Sequence, residues 1–302
     1  MKRFIILLLA LFCLNPVFAC LNSASLMLKD GTFLYDDREG NVPYGHEFYK
    51  DAFGYAIRQL DSLYKATKDI DYLSDKGLVL ILTQDYDTAI RLFLEIEKSA
   101  PGRYATAANL GTAYELSGQN DLALQWIKKA VEIDPASHSN SEWIHVNILE
   151  AKIKGEQWYT SDFLLRTNFG TETQPGTSLT PAALQELSDA LYYQLNERIS
   201  FVKPPEKIVG QLLFDLGNIA FLLGNYEDAL ADYDLADLYG YTGQLIDQRV
   251  AETKKQLRQA NKPQTAKQAS PSYLPYILVI LTLMILLILV KLLYKRKQQD
   301  HG

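Results

Sequence analysis

The stretch Asn109–Pro135, NLGTAYELSGQNDLALQWIKKAVEIDP, joins two helical patterns through residues that a helix tolerates poorly. Leu110, Ala113, Tyr114 and Leu116 recur at helical spacing, Ser117-Gly118-Gln119-Asn120 turn the chain, and Leu122, Ala123, Trp126, Ile127, Ala130 and Val131 form a second apolar face. Pro135 closes that second helix. Glycine inside a helix costs about 1 kcal/mol relative to alanine, so Gly111 needs a compensating contact. Small residues at Gly111 and Ala123 let the two helices of one pair approach closely, and the packing gained offsets the poor propensity.

The pattern recurs. A shift of 34 residues brings Gly77 onto Gly111, Ala89 onto Ala123, Phe93 onto Ile127 and Pro101 onto Pro135. A third copy follows Gln211, where Gly217 precedes Ala229 by the same twelve residues, and Gly224, Tyr226, Tyr233 and Ala236 fall in step. With Leu110-Gly111, Tyr114, Gly118, Ala123, Ala130 and Pro135, the unit resembles the tetratricopeptide repeat, W-x2-L-G-x2-Y followed by A-x3-F and a proline. The first copy departs from it at Lys76 and the third at Tyr241.

The resemblance implies an all-α, right-handed superhelix of helical hairpins whose first helices line a concave, partner-binding face. Carried over residue by residue, that face comprises Ser74, Leu78, Ile81 and Leu82 in the first unit, Ala108, Thr112, Glu115 and Leu116 in the second, and Phe214, Asn218, Phe221 and Leu222 in the third. Family members that clamp a C-terminal carboxylate use lysine, arginine and asparagine there, and only Asn109 and Asn218 approach that set. The mostly apolar row suits an amphipathic helix or strand. Two occupants stay open: a partner protein, or the chain's own hairpin or the loop around Trp158, Tyr159 and Phe163.

The repeats are placed at about 70–103, 104–137 and 210–243 of a solenoid spanning 46–260, with an irregular insertion at 154–181. Ser141–Ile153 reads as a first helix lacking its regular partner, and Gly155–Pro181 reads as a loop rich in Gly, Thr and Pro. Thr180 is a candidate N-cap with Pro181 at the first helical position. The polar segment after Gly243 suits an end-cap helix. Before the repeats, within 20–45, Asp30-Gly31 between short apolar runs signals a β-hairpin. It is expected to lie against a helix from His46 to Lys68 through Phe48, Phe53, Ile57, Leu60 and Leu63.

Both ends read as membrane signals. Residues 1–19 pair a basic start, Lys2 and Arg3, with an apolar run too short to span a bilayer, the form of an export signal. Val17, Ala19 and Cys20 resemble the lipidation site of bacterial lipoproteins, whereas Phe18 departs from it, so acylation of Cys20 and ordinary cleavage after Ala19 both stay open. Near the other end, 273–294 carry an apolar stretch of about twenty residues, enough for ~30 Å of hydrocarbon, followed by Lys295, Arg296 and Lys297 in the tail 295–302. The intervening 261–272 read as a polar stalk. These features place the repeats on the extracytoplasmic side of a bacterial inner membrane, with a cytoplasmic C-terminus.

A net charge of −6 over 302 residues argues against nucleic-acid binding. The four histidines lack ligand spacing, with no carboxylate set expected around His138 and His145. The acidic pairs Asp36-Asp37 and Asp232/Asp234 lack calcium-loop spacing, and nucleophile and phosphate-loop motifs are missing. The expectation is a scaffold or adaptor for protein partners, without catalytic residues, metal or cofactor. A self-associating envelope subunit is the alternative, and a hydrolase without a recognisable motif is a weaker one.

Overall fold

The computed structural model describes residues 25–37, 40–262 and 281–282. The export signal, Cys20, nearly all of the stalk and membrane segment, and the tail lie outside the described residues. Among those described, no helix is long and apolar enough to cross a membrane. Contacts divide the chain into a unit ending at Gln259 and another beginning at Ala260.

The first unit is a mostly helical superhelix of hairpins with one small antiparallel sheet. In the sheet, β1 (Ser25–Met27) pairs with β2 (Phe33–Asp36), with Leu26 opposite Tyr35. Gly31, at φ 89°, makes the turn, and Asp30 Oδ1 accepts from the Thr32 amide at 3.0 Å. The inner face, Leu26, Leu34 and Tyr35, is buried against Phe53, Ala56 and Leu60 of α1 (Phe53–Thr67). The helix is thus shorter than expected: residues 46–49 have no regular secondary structure, and a single 3-10 turn at Lys50–Ala52 leads into it.

Three hairpins follow the repeat pattern: α2 (Asp71–Leu82) with α3 (Tyr86–Ser99), α4 (Tyr104–Leu116) with α5 (Asn120–Ile133), and, later in the chain, α10 (Lys207–Leu222) with α11 (Tyr226–Leu238). Their common joint resolves the awkward glycines. A Cβ on Gly111 would lie 2.5 Å from Ile127 Cδ1, and one on Gly217 2.6 Å from the Tyr233 ring. A Cβ on Gly77 would overlap the Phe93 ring. Each glycine is therefore a socket for the large side chain sixteen positions on, while Ala89, Ala123 and Ala229 are fully buried one turn before that side chain. The bend between the paired helices also repeats, with Gln84, Gly118 and Gly224 at φ 63°, 81° and 83°.

Between the second and third hairpins the chain departs from the period. A short α6 (Ser137–Asn140) and α7 (Glu142–Lys154) are followed by α8 (Ser161–Leu165) and then by the long α9 (Pro181–Phe201). Thr180 caps α9 as its sequence suggests, its side chain accepting from the Ala183 amide at 3.2 Å. The 154–181 insertion is more structured than a loop: it carries α8, and Leu164, Leu165 and Phe169 are buried in the same core as α9 and α10. The closing helix α12 (Gln244–Ala260) is polar outside, yet Arg249 is completely buried.

Candidate functional site

The concave side of the first two hairpins is formed by α2 and α4, extended by α7. Burial of apolar side chains explains its inner wall, where Leu78 and Ile81 of α2 and Ala108 of α4 are almost fully covered. What covers this side is α9. Its last turns place Glu197, Arg198 and Phe201 opposite Leu78, Ile81, Asn109 and Thr112, leaving cavities of about 30 and 40 Å³, enough for isolated waters. Of the two occupants left open by the sequence, the chain itself covers the groove here: α9 lies over Ile81 and Thr112, the sheet cluster takes in Leu78 and Leu82, and Tyr159 and Phe163 pack into the core that holds Phe214.

A set of charges fixes α9 in this position. Glu115 of α4 accepts from Arg198 Nη1 at 2.6 Å and Nη2 at 3.3 Å, from Lys152 Nζ at 2.8 Å, and from His145 Nε2 at 2.7 Å. Glu142 accepts from Tyr104 OH at 2.8 Å and pairs with His138, while His145 Nδ1 lies 3.6 Å from its other oxygen. Burial alone would raise the Glu115 carboxyl, but Arg198, Lys152 and His145 outweigh it and hold it well below the usual range. Glu142 is likewise lowered, burial being overcome by its two histidines. His145 is raised: its burial is outweighed by the hydrogen bond to Glu115 and by the neighbouring Glu142 carboxylate. Burial pushes the nearby Glu197 up to about 7, with Glu142 adding to the effect.

This network corrects the expectation that no carboxylates surround His138 and His145. Glu142, at the start of α7, lies between His138 of α6 and His145 one turn on, spacings of four and three residues that are legible in the sequence. Glu115 and Arg198 are 83 residues apart, and no local pattern connects them. Among the described residues, no group of three or more His, Cys, Asp or Glu is arranged to hold a metal ion.

The remaining candidates scatter. Thr112 and Leu116 line the small cavities beneath α9, and Leu82 packs beside the sheet cluster. Phe214 stacks on Tyr241 at 4.2 Å between ring centroids and is buried, and Phe221 meets Tyr226 edge-on. Leu222 is partly buried against the same core. Asn218 Oδ1 accepts from Tyr233 OH at 2.9 Å and Arg249 Nη1 at 2.8 Å, so it is bonded within the fold. Arg249 also donates to the carbonyls of Phe169, Gly170 and Glu172, pinning the segment before α9. The three groups of candidates therefore do not share one open surface.

Residues 74–138, spanning most of the first two hairpins, match the tetratricopeptide repeat family. Over that stretch the chain carries tetratricopeptide repeats. It is similar in structure to a thermophilic tetratricopeptide protein of Thermus thermophilus, at 14% identity and TM-score 0.35, covering 68% of this chain and 92% of that one. Similar figures hold for the tetratricopeptide TPR2AB domain of yeast Sti1, solved as a complex with pHSP90 (16%, 0.32, 70% and 80%). They also hold for a tetratricopeptide protein from Parabacteroides merdae (15%, 0.30, 68% and 79%). A search of curated proteins returned no match.

Proposed function

We propose that the chain is a non-catalytic scaffold for protein partners, tethered by its C-terminal apolar segment on the extracytoplasmic side of a bacterial envelope. The observation that carries the scaffold reading is the joint repeated at Gly77, Gly111 and Gly217. A stack of like hairpins offers extended surface for partners. Its concave side, closed by α9, leaves only water-sized spaces where a substrate would otherwise sit. Tethering and location rest on residues 1–20 and 273–297 as read from the sequence.

With α9 seated, a partner approaches over other surfaces. One apolar feature there is the outer face of the sheet, where Met27 and its cross-strand neighbour Phe33 are each about half exposed. This face also favours the second reading, a subunit that pairs with its own copies. Photocrosslinking from position 33 of the full-length chain in its native membrane separates the two. A reproducible foreign protein supports the adaptor, adducts only between copies support the self-associating subunit, and no protein adduct from this position overturns the use of this face.

A further inference from the structure

We propose that the cavity between α9 and the α10–α11 hairpin is a binding site for a primary ammonium group, with Asp232 as its counter-charge. The cavity measures about 280 Å³, far above the ~10–15 Å³ that admits a single water. Asp232, on α11, is 1% exposed and lines it, and among the described residues neither of its carboxylate oxygens has a hydrogen-bond partner. A buried carboxylate is normally paired, because an isolated charge away from water costs several kcal/mol or more. Among the described residues, no lysine, arginine or histidine lines this cavity.

The charges facing Asp232 have the same sign. Asp228 lies one turn earlier on α11, with Oδ2 accepting from Asn41 Nδ2 at 3.0 Å, and Asp189 projects from α9. Burial, with Asp228 beside it, pushes the Asp232 carboxyl up to about 8. Among the described residues the site lacks a positive charge, and its wall supplies the rest of a recognition set. Gln185 and Asn225 offer further oxygen acceptors for an ammonium's three N–H bonds, while Leu216 and Ala220 give an apolar side for an alkyl stem. A bare divalent cation fits less well, because among the described residues no three acidic or histidine side chains converge as ligands, and calcium takes six to eight oxygens.

The ammonium can come from a free amine or from a lysine side chain of a partner. Isothermal titration of the full-length chain with n-butylamine, Nα-acetyl-lysine amide, Nα-acetyl-norleucine amide and calcium chloride tests the site. Saturable binding of an ammonium probe, absent for the norleucine amide and weakened at least tenfold by Asp232→Asn, is the expected result. Tighter binding of the lysine amide than of butylamine assigns the site to a protein side chain, and the reverse assigns it to a free amine. Binding of neither ammonium probe, equal binding of norleucine amide, calcium binding in their place, or unchanged affinity in Asp232→Asn overturns the proposal. Circular dichroism checks that the variant is folded. Ser188→Leu, which narrows the cavity and keeps Asp232, must also weaken binding. This site stands apart from the scaffold reading: failure of the ammonium titration leaves the partner crosslinks untouched.

Discussion

At Gly77 a single methyl group would overlap the Phe93 ring, a stiff neighbour that can yield only by shifting the helix that carries it. Gly77→Ala is therefore expected to destabilise the chain by ~1–3 kcal/mol in urea denaturation, despite alanine's better helix propensity. Shortening the opposing side chain in Gly77→Ala/Phe93→Leu should recover part of that loss; additive losses would show that the two positions are not coupled. The glycines were legible from their spacing, because a repeated small residue in a helix has few explanations. Their partner was placed less well: Ala123 is buried beside the joint, but Ile127 is the side chain that enters the socket. The left-handed bend at Gln84 was hidden because glutamine stands where the other two hairpins use glycine.

Among the elements, α9 is the one that determines what the concave side can do, and Arg198 is its main anchor. Replacing it in Arg198→Leu leaves Glu115 to Lys152 and His145 alone, and the expected cost is ~1–3 kcal/mol. Amide exchange should accelerate selectively in 181–201; exchange that rises equally everywhere would mean that Arg198 has no particular hold on α9. A second anchor lies at Arg249. Arg249→Met removes the bonds to the carbonyls of Phe169, Gly170 and Glu172, so limited proteolysis should cut faster within 166–180 while the hairpins persist. The cap and start of α9 were readable from Thr180-Pro181. Its resting place was not, since its contacts depend on residues far apart in the chain, and α8 with buried Leu164 and Leu165 is too short for a periodic signal.

For the whole molecule, buried charges set the dependence of stability on pH. Glu115 and Glu142 have lowered folded values, so their contribution is present above about pH 4.5 and lost as pH falls through those values. His145 is raised, and its contribution is present below about pH 6.5 and lost as pH rises through its folded value. Asp232, at about 8, and Asp215 and Glu197, each at about 7, are raised chiefly by burial; they favour the fold fully below about pH 4 and progressively less up to those values. Maximum stability is therefore expected on the mildly acidic side, with a decline toward pH 8 visible in urea midpoints. Asp232→Asn should flatten that decline by up to ~1.4 kcal/mol per pH unit; an unchanged slope would mean that Asp232 is already charged. The hairpin stack was read directly from periodicity, whereas the closed groove required knowing which late segment returns to an early one. That order has a consequence for biosynthesis. The nascent chain presents Ile81 and Thr112 before α9 has been translated, so a product stopped short of Pro181 would expose a sticky trough to holding factors and proteases that the finished protein escapes.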